Sequence, residues 1–355
     1  MMLVPIVAVL IYKVFFGKDL SIGMVLGIIA LGCIVVVMGW GLAVMSKNAD
    51  VEIWNGEIVS KVREEVSCSH SYECNCTYTT SKDSNGNTTT HKSCQTCYEH
   101  RYDVDWTAKT TIGDFDIDRI DRQGLNEPRR WTVINKGDPV SKDHIFINYI
   151  KGAEKSLYHN KGYTKMEMPV PPYPKSIYDY YKIDRVMQVG LAMPDLQKWN
   201  VDISMALRKL GATKQVNFVV VVAKTGNPGY ASKVEHEWLG GKKNDVIIVI
   251  GTEEYPKISW VRVISWTDRE DFKVNLREAI LDVGTIDREK IIEKMTEHTR
   301  TTFVRKSMKD FEYLKDDIEV DGWAIFITLF LSVVSCIAAA IFVQKNASPY
   351  KYRRF

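Results

Sequence analysis

Residues 67–100 read SCSHSYECNCTYTTSKDSNGNTTTHKSCQTCYEH, with five cysteines and three histidines in one short span. Thiols and imidazoles at this density support three chemistries. Cys74-x-Cys76 followed by Cys94-x2-Cys97 has the pair-and-pair spacing of a zinc ribbon, and His100 stands close enough to Cys97 to join the set. In an oxidising compartment the same residues would be disulfides. Cys74 and Cys76 are too close to bond each other, so bridges would join the two arms. Of Cys68, Cys74, Cys76, Cys94 and Cys97, one would be left over. A redox-active Cys94-x2-Cys97 is the third reading. Each leaves the insert mainly structural, since a short stretch of Ser, Thr, Asn and Gly cannot bury enough core to fold unaided. His70, His91 and His100 read as exposed loop residues, with metal ligation as the competing role.

The carboxylates give weaker patterns. Asp114, Asp116, Asp118 and Asp121 suggest calcium, but Asp-Phe-Asp-Ile-Asp is strand alternation and lacks the glycine and terminal glutamate of an EF-hand loop. No P-loop, HExxH or dinucleotide fingerprint is present. The formal charge of +3 on 355 residues, 26% of them charged, argues against a nucleic-acid partner.

Where these groups stand depends on the apolar ends of the chain. Residues 22–45 carry no charge, which satisfies the roughly 20 helical residues a bilayer needs. Residues 323–343 form a second uncharged run, with Trp323 at the interface position and a basic tail, 344–355, beyond it. Residues 2–16 are apolar but short, interrupted by Pro5 and Lys13, and read as a short span or an interfacial segment. Cys33 and Cys336 fall inside these runs as packing residues. Lys13, Lys18, Lys345, Lys351, Arg353 and Arg354 lie on one side and only Lys47 on the other, so the tail is expected in the cytoplasm and the middle of the chain outside it.

The expected fold class is a membrane-anchored α+β protein with transmembrane helices at both ends, a small antiparallel β domain (50–160) and an α/β mixed-sheet domain (191–320). In the β domain, Asn55-Gly56 reads as a turn, Tyr102, Val104 and Trp106 alternate as one strand, and Phe115 and Ile117 form another after Gly113. The insert 67–100 caps the first hairpin. Pro169, Pro171, Pro172 and Pro174 mark 161–190 as a linker. Beyond it, Leu196, Trp199, Ile203, Leu207 and Leu210 share one helical face, ended by Gly211. Val216–Gly226 and Val246–Ile250 read as strands buried on both faces, KISWVRVISWTD as a half-exposed strand, and two amphipathic helices follow.

VVVVAKTG, YASKVEHEW and the glycine–lysine loop in GGKKNDVIIVIG, in that order and followed by a final helix that feeds a membrane span, resemble the TPM-domain family of extracytoplasmic α/β domains. The resemblance covers residues 195–313. Some members of that family bind a divalent cation or hydrolyse phosphate esters. The family loop usually reads Gly-Lys…Asp-Asn-Gly, whereas here Gly241, Lys242, Lys243, Asn244 and Asp245 run into Val246. Fold analogy marks Asp245 as a cation ligand at a strand end, with Glu253 and Asp268 at neighbouring ends. The front half, including DRIDRQGLNEPRRW, is similar to uncharacterised membrane proteins of large tailed bacteriophages, which implies a bacterial inner membrane and a periplasmic ectodomain.

The expected function is therefore non-enzymatic: an integral inner-membrane protein that binds or modulates an envelope component, with remodelling of the host envelope if phage-encoded. The expected partners are the lipid bilayer, another membrane or envelope protein, or a second copy of the chain. The alternatives are a metal-dependent periplasmic phosphatase-like hydrolase and a self-assembling structural membrane protein.

Overall fold

The computed structural model describes residues 1–16, 20–82, 88–153, 167–174 and 183–347. The chain opens with helices α1 (Leu3–Phe15) and α2 (Ile22–Asn48). Strands β1 (Ala49–Val66), β2 (Ser71–Lys82), β3 (Thr88–Tyr98), β4 (Asp103–Thr110) and β5 (Phe115–Ile117) follow. The short helix α3 (Arg129–Val133), strand β6 (Pro139–Ile147) and helical turn α4 (Tyr149–Gly152) complete the first half. The second half runs β7 (Val186–Val189), α5 (Leu196–Lys214), β8 (Asn217–Ala223), α6 (Gly229–Glu237), β9 (Asp245–Gly251), β10 (Trp260–Ile264), α7 (Glu270–Leu281) and α8 (Arg288–Thr302). A 3-10 segment (Met308–Asp317) leads to α9 (Gly322–Ala347).

Among the described residues two helices, α2 and α9, are long and apolar enough to cross a membrane. They pack antiparallel through small residues. Ser332 Oγ donates to the Gly32 carbonyl at 2.9 Å and Cys336 Sγ approaches the Ile28 carbonyl at 3.6 Å. At Gly32 a Cβ would run into Cys336 and Pro5, and at Gly39 it would lie 2.5 Å from Thr328, so any side chain there would push the helices apart. Lys47 pairs with Asp321 at 2.7 Å where the two helices meet the body. At the opposite end Tyr12 donates to Gln344 at 3.1 Å, and Gln344 donates to the Phe16 carbonyl. At 13 residues α1 is about 20 Å long, short of the ~30 Å hydrocarbon core. Leu26, Met38, Leu42, Phe326, Phe330 and Phe342 stay exposed around the pair, a surface suited to lipid rather than water.

Between these helices the described residues form two four-stranded sheets and one isolated two-stranded ribbon. The first sheet has the order β5-β4-β1-β6 and is antiparallel throughout. Its core is Ile58, Val104, Trp106, Ala108, Phe115, Ile117, Trp131 and Ile134. Asn55-Gly56 is not a turn. It lies inside β1 just before the strand changes partner, since Ala49–Glu57 pair with β6 and Ile58–Val66 pair with β4. The second sheet has the order β10-β9-β8-β7, with β7, β8 and β9 parallel and β10 antiparallel. Every residue of β8 and β9 is buried, because helices cover one face and α6 with the proline segment cover the other.

Two boundaries differ from expectation. Gly211 does not end α5, which continues to Lys214 and is closed by Gln215 in the left-handed conformation (φ 52°). Gly211 is instead where α5 meets β1, for a Cβ there would lie 2.5 Å from that of Asn55. Of the expected linker 161–190, residues 167–174 and 183–190 are described, and these are packed and not free; the rest lies outside the described residues. Val186–Val189 form the edge strand β7. The described prolines lie across α6, whose Tyr230 hydroxyl donates to the Pro169 carbonyl at 2.9 Å, while the Trp238 indole donates to Pro171 O at 3.0 Å.

Candidate metal centre

The insert is a ribbon made of β2 and β3, paired from Ser71↔Tyr98 to Lys82↔Thr88. Disulfides join Cys74 to Cys97 and Cys76 to Cys94. Cys94 and Cys97, three apart on a strand, face opposite sides, whereas Cys74 and Cys76 would face the same side. A register shift between Cys74 and Thr77, with Asn75 in the left-handed region (φ 49°), supplies the extra residue that lets both thiols find partners. The zinc-ribbon reading of Cys74, Cys76, Cys94 and Cys97 is thereby replaced, since disulfide sulfurs are not thiolate ligands. Cys68, grouped with them as a disulfide candidate, is the residue left as a free thiol.

Cys68 is not idle at the root of the ribbon. β1 ends at Val66 and β4 begins at Asp103, so the segments 67–70 and 99–102 lie side by side there, tied by the Glu99 N–H to the His70 carbonyl at 3.0 Å. Cys68 Sγ lies 3.7 Å from His100 Nδ1. His100 Nδ1 lies 3.3 Å from Asp103 Oδ1, and His70 Nδ1 lies 3.5 Å from Asp103 Oδ2. The four donor atoms of Cys68, His70, His100 and Asp103 all fall within 4.8 Å of one another. Cys68 and Asp103 are buried, and the two imidazoles are about three-quarters covered. His91 stays exposed on the ribbon.

Asp103 is held in its charged form. The Ser69 N–H (2.9 Å) and hydroxyl (3.1 Å) donate to Oδ2, and Arg119 donates to the same oxygen at 2.7 Å. The Ser69 amide first, then the Arg119 guanidinium and the Cys68 thiol, keep its carboxyl well below the usual range. Arg119 is in turn shared with Asp105 at 2.7 Å. The sequence reading missed Asp103 and Ser69. The spacings Cys68-x-His70 and His100-x2-Asp103 were the available signal.

The carboxylates that the sequence singled out have structural occupations. Asp245, expected to hold a cation, is fully buried, and both its oxygens accept protein hydrogen bonds. Tyr173 OH (2.6 Å) and Lys242 N–H (2.7 Å) donate to Oδ2, and Asn217 Nδ2 (2.9 Å) donates to Oδ1. Burial pushes its carboxyl up, against those hydrogen bonds. The glycine–lysine loop around it turns toward β1. Lys242 pairs with Asp50 at 2.6 Å, Lys243 approaches Glu52 at 3.5 Å, and Asn244 Nδ2 donates to the Ile53 carbonyl at 2.8 Å. Glu52 also accepts from Trp54 (2.9 Å) and pairs with Arg305. Asp121 accepts the backbone N–H groups of Gln123, Gly124, Leu125 and Asn126, the pattern of a turn cap. Asp116 meets Thr107 and Asp114 meets Lys109, as on a solvated strand face. Asp268 pairs with Lys306 at 2.5 Å.

No family model, curated protein or solved structure matches the chain.

Proposed function

We propose that the chain is a membrane-anchored binding protein of the bacterial envelope. In this reading α2 and α9 cross the inner membrane, the two-sheet body stands on its periplasmic side, and the stapled ribbon engages another envelope protein. The α/β half serves as a TPM-like scaffold and not as a hydrolase, and if the protein is phage-encoded its target is the host envelope.

The observation that carries this reading is the ribbon. It has two disulfides, yet none of its residues joins a hydrophobic cluster among the described residues. Tyr72, Tyr78 and Tyr98 stand exposed along it. Ordering a polar ribbon costs conformational entropy that no core burial offsets here. A pre-ordered element bearing aromatic side chains lowers the entropic cost of association. The hydrolase reading lacks comparable support, because Asp245 offers no free oxygen toward a cation.

A photo-crosslinking residue at position 78, introduced into the full chain in native membranes, tests this. The expected result is a discrete adduct with a different membrane or envelope protein, lost when both ribbon disulfides are removed by replacing Cys74, Cys76, Cys94 and Cys97 with serine. Adducts formed only with a second copy of the chain would favour the self-assembling structural role instead. Extraction of the chain from membranes by alkaline carbonate would overturn the anchoring.

A further inference from the structure

We propose that Cys68, His70, His100 and Asp103 form a tetrahedral site for a divalent cation of the zinc class, which clasps the root of the ribbon. The donor set is one thiolate, two imidazoles and one carboxylate, a mixture that suits zinc and not calcium or magnesium. The spacing fits as well. A tetrahedral shell with Zn–N and Zn–O bonds near 2.0–2.1 Å and a Zn–S bond near 2.3 Å has edges of roughly 3.3–3.6 Å. Through Asp103 Oδ1 the observed edges are 3.3 Å to His100 Nδ1 and, from there, 3.7 Å to Cys68 Sγ, while His70 Nδ1 lies 3.5 Å from the other carboxylate oxygen; all four donor atoms fall within 4.8 Å of one another. The thiol, both imidazoles and the carboxylate converge on one small volume, as ligands around a common point do.

The surroundings also suit a cation. Ser69 and Arg119 hold Oδ2 of Asp103 and orient the carboxylate with Oδ1 toward His100. That is the outer-shell arrangement that fixes a ligand's direction. Arg119 brings a positive charge, but Asp105 shares it through Nη2 and Nε at 2.7 and 3.0 Å. With Asp103 and Asp105 against Arg119, the site keeps one net negative charge before Cys68 ionises. The partly exposed edges of His70 and His100 give the ion a way in.

A Cys–His–Asp nucleophilic relay uses the same residue types but needs thiol and carboxylate on opposite imidazole nitrogens. Here Cys68 and Asp103 both approach Nδ1 of His100, so the relay geometry is not met and the ligand geometry is.

The consequence is mechanical. Cys68 and His70 come from the segment entering the ribbon, His100 from the segment leaving it and Asp103 from the start of β4, so one ion would join both ends of the ribbon to the first sheet. The disulfides lock the ribbon internally, and the ion would lock its direction relative to the body. The site does not depend on membrane topology or on any partner, so it stands or falls apart from the binding role.

The test uses the full chain purified in detergent without reducing agent, so that the four ribbon cysteines stay oxidised. Dialysis against zinc is expected to leave one zinc per chain. Cobalt is expected to give the charge-transfer absorption of a thiolate ligand. Cys68→Ser and His100→Ala are expected to lose both, and the pair Cys76→Ser and Cys94→Ser to lose neither. Because ligand variants can misfold, the wild-type chain supplies a second readout: zinc should slow maleimide modification of Cys68, located by peptide mass spectrometry, by at least about tenfold, the scale of metal-site effects. Zinc retained by Cys68→Ser, or unprotected Cys68 in the zinc-treated wild type, would overturn the proposal.

Discussion

Arg185 is buried to 1% exposure, and its guanidinium meets amides and a hydroxyl: it donates to Asn217, Asn55 and Ser141. Burial pushes it down to about 10, which still leaves it charged at neutral pH. Asn55 is central to this group, because its Nδ2 also donates to the Val216 carbonyl at 3.0 Å and its Oδ1 accepts from Ser141 at 2.8 Å. Asn55→Ala is therefore expected to cost about 2–3 kcal/mol, since it strands a buried charged donor. A urea titration followed by tryptophan fluorescence measures this, and a loss below about 0.5 kcal/mol, the scale of an ordinary surface substitution, would refute it. None of this was legible in the sequence. Asn-Gly is a turn signal by local chemistry, and its buried partner Arg185 lies 130 residues away. Asp121 makes a pH-dependent contribution. The Asn126 N–H first, with those of Gly124 and Leu125, holds its carboxyl below the usual range. A depressed carboxyl stabilises the fold above its unfolded value, near 3.9, and that stabilisation is lost as pH falls through the depressed value. Amide exchange at Gly124–Asn126, corrected for intrinsic rates, is expected to quicken from pH 5 toward pH 2 in the wild type but not in Asp121→Asn.

The ribbon shows how far local signals carry. Two cysteine-bearing arms set after an outward-directed span admitted a tip stapled across its arms as one of three readings, and the structure has a two-stranded ribbon with two such disulfides. Which cysteine stays out was not legible, because it depends on a one-residue bulge at Asn75 and on β4 bringing Asp103 beside Cys68. The buried strands β8 and β9 were legible as continuous apolar runs, and α5 from its apolar face. β7 was not, because four residues carry no period and Val186–Val189 become a strand only by pairing with β8. An isolated two-stranded ribbon is marginal in water, and each disulfide adds about 2–4 kcal/mol. Replacing Cys74, Cys76, Cys94 and Cys97 together by serine is therefore expected to open the ribbon and leave both sheets folded. Limited proteolysis should then cut within residues 71–98 while the remaining bands stay intact. An equally resistant ribbon would show that something other than the disulfides holds it.

Both sheets and both long helices are joined through the start of β1. Asp50 and Glu52 receive Lys242, Lys243 and Arg305 from the α/β half, and Asn48 O accepts from the Asn148 N–H. On the other side of that junction Lys47 meets Asp321, so chain enters and leaves the body at neighbouring helix ends. Such a body has one orientation to whatever surrounds α2 and α9. If that is a bilayer, the ribbon and Lys345 lie on opposite sides of it. The excess of basic residues at the Lys13 and Lys345 end is then expected to keep that end in the cytoplasm. Full-length Tyr78→Cys and Lys345→Cys variants, each in a Cys68→Ser background, distinguish the two sides, because the remaining native free thiols, Cys33 and Cys336, lie within the helix pair. In cells with a permeabilised outer membrane and an intact inner one, a membrane-impermeant maleimide is expected to label Tyr78→Cys at once. Lys345→Cys should be labelled only after the inner membrane is opened. The reverse pattern would place the disulfides on the reducing side, where they would not persist. Labelling of both variants without permeabilisation would mean that α2 and α9 do not cross a bilayer, and that their apolar surfaces are covered by protein instead.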